Sequence, residues 1–200
     1  MKREALIERI TNEVNIKGSL ALDGKGKSKI NTGFESLDHL LTLFSFHGFF
    51  DLELAAKGDL QHHIVEDLSI VLGKAFRKAL GDSSGIKRYG YASVPMDEIL
   101  ARVSVDLGGR YSFVWDEPAE VKKINENLDL ASDELKKEFL DNLAKNIGMN
   151  LYVEYLSKEG EVDTHHLFEA VFKALGLALD QASSIEARRR GVPSTKGIID

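Results

Sequence analysis

The sequence of 200 residues contains no cysteine, so neither a disulfide framework nor a thiolate metal site is possible. Any metal ion must instead be held by imidazole, carboxylate, hydroxyl or water ligands. The sequence also lacks an apolar run that approaches the roughly 20 residues needed to cross a bilayer, and its first residues are charged and amphipathic rather than apolar. We therefore expect a cytoplasmic protein that does not associate with membranes.

The chain has no excess of basic charge, because 32 acidic residues outnumber 26 basic ones and the net charge is −6. This balance argues against a general nucleic-acid binder, since contacts to the phosphate backbone depend on Lys and Arg. One basic cluster, at residues 188–190, precedes a Pro-Ser-Thr-Lys-Gly sequence at 193–197 and indicates a local anion-binding tail. The hydrophobic fraction of 43% is sufficient for a buried core in one or two small domains.

A His-His-x-x-Glu motif occurs twice, about half the chain apart: His62, His63 and Glu66, then His165, His166 and Glu169. Duplication of one unit is the simplest explanation. Apolar residues at spacings of three and four follow each motif and predict a helix that begins there. The first His and the Glu of each motif then lie one helical turn apart on the same face, whereas the second His points about 100° away. Each His pair can therefore serve two different metal ions.

The segments around each motif repeat in the same order. Residues 49–56 and 150–156 are predicted as strands, residues 37–44 and 134–145 as helices, and residues 103–107 as a further strand. We predict an α+β fold of two similar halves, each a mixed sheet with two helices packed on one face. The predicted boundaries are 1–95 for the first half, 96–185 for the second and 186–200 for the basic tail. Residues 95–98 are predicted to begin a helix, with acidic residues in its first turn.

Four of the six histidines form the two adjacent pairs, and the other two, His39 and His47, precede the first pair. Imidazole and carboxylate ligands without thiolate suit Mn, Fe or Zn. The alternative for the paired positions is that they are polar residues at helix starts, without a metal.

Several motifs lie at residues 32–33, 37–39, 46–48, 58–60, 62–67, 85–90, 95–98, 105–110, 165–174 and 193–197. They occur in the order that is typical of imidazoleglycerol-phosphate dehydratases, and through this set of motifs the chain resembles that family. The resemblance implies a duplicated ferredoxin-like or ribosomal-protein-S5-domain-2-like unit. It also implies a hydro-lyase of histidine biosynthesis that converts imidazole-glycerol phosphate to imidazole-acetol phosphate. The expected cofactor is Mn²⁺, two per active site, in a homo-oligomer of trimers that builds a 24-subunit assembly.

The resemblance implies roles for particular residues. The expected metal ligands are His39, His62, His63, Glu66, His165, His166 and Glu169. The expected substrate and phosphate contacts are Arg88, Arg110, Lys173, Ser194 and Lys196. The expected catalytic residues are Glu13, as the proton-transfer group, together with His63, Glu66, His166 and Glu169. From helical geometry we group His62 with Glu66 on one ion and His165 with Glu169 on the other.

Two departures from the family pattern bear on the metal sites. Tyr152 stands on the second-half strand where the family usually has a His. Gln61 alone precedes the first His pair, where family members have a longer loop with acidic residues. Two alternatives to the dehydratase therefore stay open: a metal-dependent paralogue acting on another phosphorylated small molecule, and a non-catalytic assembly protein.

Overall fold

The computed structural model describes residues 2–119, 121, 123–158 and 160–199. The first half contains four strands and two helices: β1 (Glu4–Ile10), β2 (Val14–Ala21), β3 (Ser28–Asn31), α1 (Glu35–His47), β4 (Asp51–Gly58) and α2 (Gln61–Leu80). Its sheet has the strand order β1-β2-β4-β3. β1 and β4 each run antiparallel to β2, whereas β3 runs parallel to β4.

The second half repeats this arrangement. Its elements are β5 (Tyr89–Met96), β6 (Ile99–Asp106), β7 (Ser112–Asp116), β8 (Lys123–Asn125), a π-helical segment (Glu134–Asp141) that leads directly into α3 (Asn142–Ile147), β9 (Asn150–Ser157), β10 (Glu161–Asp163) and α4 (Thr164–Ser183). The sheet order is β5-β6-β9-β7, with β7 parallel to β9. A separate parallel pair, β8 and β10, is added to the unit. Both halves thus share one topology, and the predicted α+β duplication is confirmed.

Alternation along the strands explains why helices cover only one face of each sheet. In β4, Leu52, Leu54 and Ala56 are buried while the residues between them are not, as expected for a strand with one buried face. α2 packs on β1 and β2, and α4 packs on β5 and β6. α1 also packs against α4, and α2 against α3. The helices of the two halves therefore lie between the two sheets.

Two glycines allow these helices to approach closely. A Cβ atom at Gly176 on α4 would lie 2.5 Å from the carbonyl oxygen of Phe44 on α1, and one at Gly73 on α2 would lie 2.7 Å from Cβ of Asn146 on α3. Such distances are shorter than real Cβ atoms tolerate, so the helices could not keep this separation with larger residues. Both glycines lie at the same offset from the first histidine of their motif, which is a further sign of the duplication.

Residues 89–98 belong to the hairpin that begins the second sheet. Tyr89–Met96 pairs with β6 in the second sheet, so the predicted boundary at 95/96 cuts through β5. We propose that the halves meet between α2 and β5. The predicted helix start at 95–98 is wrong, because Met96 pairs with Ile99 and the two acidic residues between them form the turn of a β-hairpin. Asp97 takes a positive φ of 48° in this turn, a conformation that Asp tolerates better than most residues.

Candidate metal centre

Three predicted ligands from two helices meet in one cluster. His39 lies on α1, while His165 and Glu169 lie one turn apart on α4. The Oε1 atom of Glu169 is 2.8 Å from Nε2 of His39 and 2.9 Å from Nε2 of His165, and one ligand atom from each residue lies within 4.8 Å of the others. The two imidazole rings are stacked, with centroids 5.8 Å apart. Two imidazoles and a carboxylate at this separation fit a divalent cation such as Mn²⁺ or Zn²⁺.

Glu169 is the buried member of this cluster, with 7% of its surface exposed. Burial acts to raise the pKa of its carboxyl, but hydrogen bonds from Lys173 and His39 outweigh burial and hold the pKa below its usual value. The Nζ atom of Lys173 donates to Oε2 of Glu169 at 2.6 Å. Oε2 is thus bound by Lys173 while Oε1 faces the two imidazoles, so the carboxylate is ionised and oriented towards the site of a cation.

The start of α4 is fixed by its capping residue. The side chain of Asp163 accepts hydrogen bonds from the backbone N–H groups of His165, at 2.9 Å, and His166, at 3.3 Å. An Asp in this position satisfies N–H groups that have no partner within the helix. Because His165 lies in this capped turn, its backbone position is well determined.

The first motif, at the start of α2, is less complete. The preceding residue, Leu60, provides no side-chain cap, whereas Asp163 caps α4. Within the part of the chain that the structure describes, His39, His165 and Glu169 form the only group of three or more potential ligands whose ligand atoms all lie within 4.8 Å of one another. The grouping of His62 with Glu66 on one ion therefore stays a prediction.

His63 lies against acidic groups. Its Nδ1 is 2.8 Å from Oδ1 of Asp59, and its ring centroid is 4.2 Å from that of His62. The hydrogen bond to Asp59 has the largest effect on the pKa of His63 and raises it; burial lowers the pKa by less, and the charge of Glu13 raises it by a smaller amount still. Glu13 lies exposed in the β1–β2 turn, where its carbonyl accepts from the N–H of Asp59 at 3.0 Å. The predicted proton-transfer residue is therefore close to the first motif.

His166, the second histidine of the later motif, faces the β5–β6 turn. Its Nδ1 is 3.1 Å from Oε2 of Glu98, and its Nε2 is 3.4 Å from Oδ2 of Asp97. Burial acts to lower the pKa of His166, but its hydrogen bond to Glu98 and the nearby carboxylates raise the pKa overall. The sequence alone predicts a structural role for Asp97 and Glu98 at a helix start. Their pairing with His166 instead depends on the β5–β6 hairpin, and the local sequence does not predict this hairpin.

Four of the five predicted substrate contacts line one cavity of about 260 Å³: Arg88, Arg110, Ser194 and Lys196. Arg88 is held by Asp106, with Nε–Oδ1 at 2.6 Å and Nη2–Oδ2 at 3.0 Å, and donates through Nη1 to the Pro193 carbonyl at 3.0 Å. A cavity with three cationic side chains and a hydroxyl suits a phosphate group. The fifth residue, Lys173, lies instead beside Glu169 in the metal cluster.

Tyr152, at the position where a His was expected, lies half-exposed on β9. Its hydroxyl donates to Oδ2 of Asp116 on the parallel neighbour β7 at 2.8 Å. This hydrogen bond raises the pKa of the Tyr152 phenol, which favours the neutral form and opposes ligation as a phenolate.

Sequence and structure comparisons agree with this geometry. A family model described as imidazoleglycerol-phosphate dehydratase matches residues 32–179. The imidazoleglycerol-phosphate dehydratase of Geobacillus kaustophilus is 50% identical over 100% of both chains. That of Syntrophobacter fumaroxidans is 46% identical, over 99% of this chain and 98% of its own.

Two solved structures have the same fold. IGPD from Pyrococcus furiosus, in complex with (S)-C348, is 35% identical and matches with a TM-score of 0.79 over 96% of this chain and 99% of that one. Imidazoleglycerol-phosphate dehydratase from Staphylococcus aureus is 33% identical, with a TM-score of 0.78 over 92% and 99%. The chain therefore belongs to the imidazoleglycerol-phosphate dehydratase family, the hydro-lyases of histidine biosynthesis.

Proposed function

We propose that this chain converts imidazole-glycerol phosphate to imidazole-acetol phosphate with two Mn²⁺ ions per active site, one bound by His62 and Glu66 of the first motif and the other by His165 and Glu169 of the second. The observation that carries this proposal is the cluster of His39, His165 and Glu169, whose ligand atoms lie within 4.8 Å of one another. When bound, the ions supply Lewis acidity that stabilises the substrate imidazole as imidazolate, so that the ring accepts electrons when a weakly acidic C–H proton leaves.

The two proposed metal sites differ in the number of ligands that a single chain provides. His39, His165 and Glu169 provide three ligands to one ion, and we assign His62 and Glu66 to the other. His63 and His166 point to the sides of their helices, where we propose that they complete sites across subunit contacts. We further propose a homo-oligomer built from trimers, with 24 subunits in the full assembly.

The substrate phosphate binds in the cavity of Arg88, Arg110, Ser194 and Lys196. Asp106 fixes the Arg88 guanidinium through two hydrogen bonds and leaves further N–H groups to donate to a dianion. Lys173, held at Oε2 of Glu169, is a cationic donor near the metal cluster, and we propose that it contacts the substrate there.

Glu13 is the proposed proton-transfer residue. Its carboxylate is exposed, so substrate can approach it, and its turn is joined through the Asp59 N–H to the residues that precede the first motif. In the overall reaction one C–H proton and one hydroxyl group leave as water. Glu13 accepts the carbon-bound proton, and His63, Glu66, His166 and Glu169 contribute to catalysis through the metal ions that they would hold.

A metal-replacement assay tests the proposal. Protein stripped with a chelator is reloaded with Mn²⁺, and formation of imidazole-acetol phosphate is followed spectrophotometrically. We expect turnover only after reloading, and no turnover with full metal loading would refute the dehydratase assignment in favour of a paralogue. Size-exclusion chromatography of the same samples tests the assembly: we expect a large particle that shrinks on metal removal, and an unchanged size would contradict metal-linked assembly.

We also propose that the protein is located in the cytoplasm.

A further inference from the structure

The segment 125–134 contacts the N-terminal ends of three helices, α1, α2 and α4. These helices carry every predicted metal ligand. The segment runs from the last residue of β8 to the first residue of the π-helical segment and has no counterpart in the first half, where β3 leads to α1 within a few residues. None of its residues is itself a predicted ligand.

Asn127 joins this segment to the start of α4. Its Oδ1 accepts from the backbone N–H of His165 at 3.0 Å and from the Thr164 hydroxyl at 2.8 Å, and its Nδ2 donates to Oδ2 of Asp163 at 2.8 Å. Its own N–H donates to the Thr164 hydroxyl at 3.1 Å. Thr164 is fully buried. Asn127 therefore contacts the capping residue, the first helical residue and the backbone of a metal-cluster histidine.

The same segment joins α2 through Gln61, the residue next to the first His pair. The Nε2 atom of Gln61 donates to Oε2 of Glu134 at 2.8 Å and to the carbonyl of Asp129 at 3.3 Å. Asp129 also binds α1, because its Oδ1 accepts from the N–H of Ser36 at 3.3 Å. α2 has no side-chain cap of its own, so these contacts help to hold its start.

We propose that Asn127 and Gln61 are positioning residues for the two metal sites. Asn127 fixes the turn of α4 that carries His165. Gln61 ties the turn that carries His62 and His63 to the same segment, so that the separation of the two motifs is set by residues 125–134. This inference rests on the proposed function. Residues that orient metal ligands without touching the metal commonly change metal affinity about 10- to 100-fold.

Binding of Mn²⁺ alone tests the role of Asn127. Free Mn²⁺ is measured by its electron paramagnetic resonance signal during titration of full-length, metal-stripped protein. We expect Asn127→Ala to weaken Mn²⁺ binding at the site of His39, His165 and Glu169 about tenfold. The matched control is Asn142→Ala, which removes a side-chain hydrogen bond to the Glu138 carbonyl at 2.9 Å within the helical layer. It should leave Mn²⁺ affinity within about twofold of wild type, the scatter expected for a change without a ligand contact.

A pair of Gln61 variants separates positioning from general destabilisation. Gln61→Glu sets two carboxylates against each other at the Glu134 contact and should weaken Mn²⁺ binding and lower kcat. The double variant Gln61→Glu with Glu134→Gln reverses donor and acceptor at the contact between residues 61 and 134, while the bond to the Asp129 carbonyl stays lost, and should recover part of the lost Mn²⁺ affinity. Thermal melting of each variant shows how much stability has changed. Weak binding that follows melting temperature alone, without recovery in the double variant, would overturn the inference.

The outcomes distinguish this inference from the proposed function. A wild-type protein that fails to bind Mn²⁺ refutes the proposed function and everything that rests on it. A wild-type protein that binds Mn²⁺ and turns over, together with an Asn127→Ala variant of equal Mn²⁺ affinity, refutes only the positioning role.

Discussion

The Nε2 atom of His39 lies 2.8 Å from Oε1 of Glu169, although 130 positions separate the two residues in the chain. One residue belongs to each half of the duplicated fold. They meet because α1 of the first half packs against α4 of the second, at the crossing where Gly176 lies against the Phe44 carbonyl. The metal cluster therefore depends on the packing of the two halves and not on either motif alone.

Gly176→Ala should separate the ligands that this helix crossing brings together. The added methyl group would lie 2.5 Å from the Phe44 carbonyl oxygen, so α1 must move away from α4. We expect a loss of about 1–3 kcal/mol in the free energy of unfolding and weaker Mn²⁺ binding, because His39 moves with α1. Urea unfolding and Mn²⁺ titration measure the two effects.

Gly73→Ala is the matched control for this prediction. Gly73 occupies the equivalent position on α2, against Asn146 on α3, and neither of these helices carries a ligand of the cluster formed by His39, His165 and Glu169. We expect a similar loss of stability with nearly unchanged Mn²⁺ affinity at that cluster. Equal loss of metal affinity in both variants would show that general loosening of the fold, rather than displacement of His39, is the cause.

Glu169→Gln should remove the anionic ligand of the described cluster. Changes in groups that merely support a ligand cost about 10- to 100-fold in metal affinity, so the loss of the ligand itself should cost about 100-fold or more. Metal content measured by plasma mass spectrometry and kcat should both fall. Glu154→Gln, which removes the ion pair of Glu154 on β9 with Arg102 on β6, should change neither, and a fully active, metal-replete Glu169→Gln protein would contradict this assignment.

Arg110→Ala should raise KM for imidazole-glycerol phosphate with a smaller effect on kcat. Arg110 lines the cationic cavity, and a hydrogen bond to a charged group contributes about 1.5–3 kcal/mol, which corresponds to an increase of about 10- to 100-fold. Steady-state kinetics measure the effect. Arg102→Ala removes an exposed Arg outside the cavity and should leave KM unchanged; identical KM values for wild type and Arg110→Ala would exclude the cavity as the phosphate site.

Tyr152→Phe should leave the number of bound Mn²⁺ ions unchanged. The phenol is hydrogen-bonded to Asp116 and its pKa is raised, so at neutral pH it is neutral and a poor ligand. Plasma mass spectrometry of metal-reloaded protein gives the ratio of ions to subunits. A ratio that falls in the Phe variant would identify Tyr152 as a ligand and reverse this interpretation.

Tyr111 should make the stability of the fold depend on alkaline pH. Its hydroxyl donates to Asp141, and the pKa of the phenol is raised from 10.0 to about 12. Because the folded pKa exceeds the unfolded one, this contribution is complete below pH 10 and is lost as the pH rises towards 12. Unfolding of Tyr111→Phe should therefore differ from wild type below pH 10 and approach it near pH 12. A constant difference across this range would contradict the shift.

The sequence predicted most of the fold because periodicity is a local property. Apolar residues at spacings of three and four after His62 and His165 define α2 and α4. Alternating apolar and polar residues define β4 and β9. The hairpin at 95–98 was missed because its Pro and acidic residues also favour a helix start. The pairing of β5 with β6 decides between a helix start and a hairpin, and the residue types at 95–98 do not reveal this pairing.

The candidate site was predictable in its residues but less so in its grouping. Helical spacing correctly joined His165 with Glu169. That His39 completes this set depends on the α1–α4 crossing, and the family resemblance identified His39 only as a ligand. The contacts of His166 with Glu98 and of Gln61 with Glu134 join residues that are 68 and 73 positions apart, and local sequence carries little information about such distant partners.

The most direct test is a crystal grown with Mn²⁺ and measured near the manganese absorption edge. An anomalous difference map locates the ions without reference to the reaction. The account predicts a peak bounded by Nε2 of His39, Nε2 of His165 and Oε1 of Glu169, with a second ion beside the His62 motif of the same or a neighbouring subunit. Crystals of active enzyme whose map is empty among His39, His165 and Glu169 would contradict it.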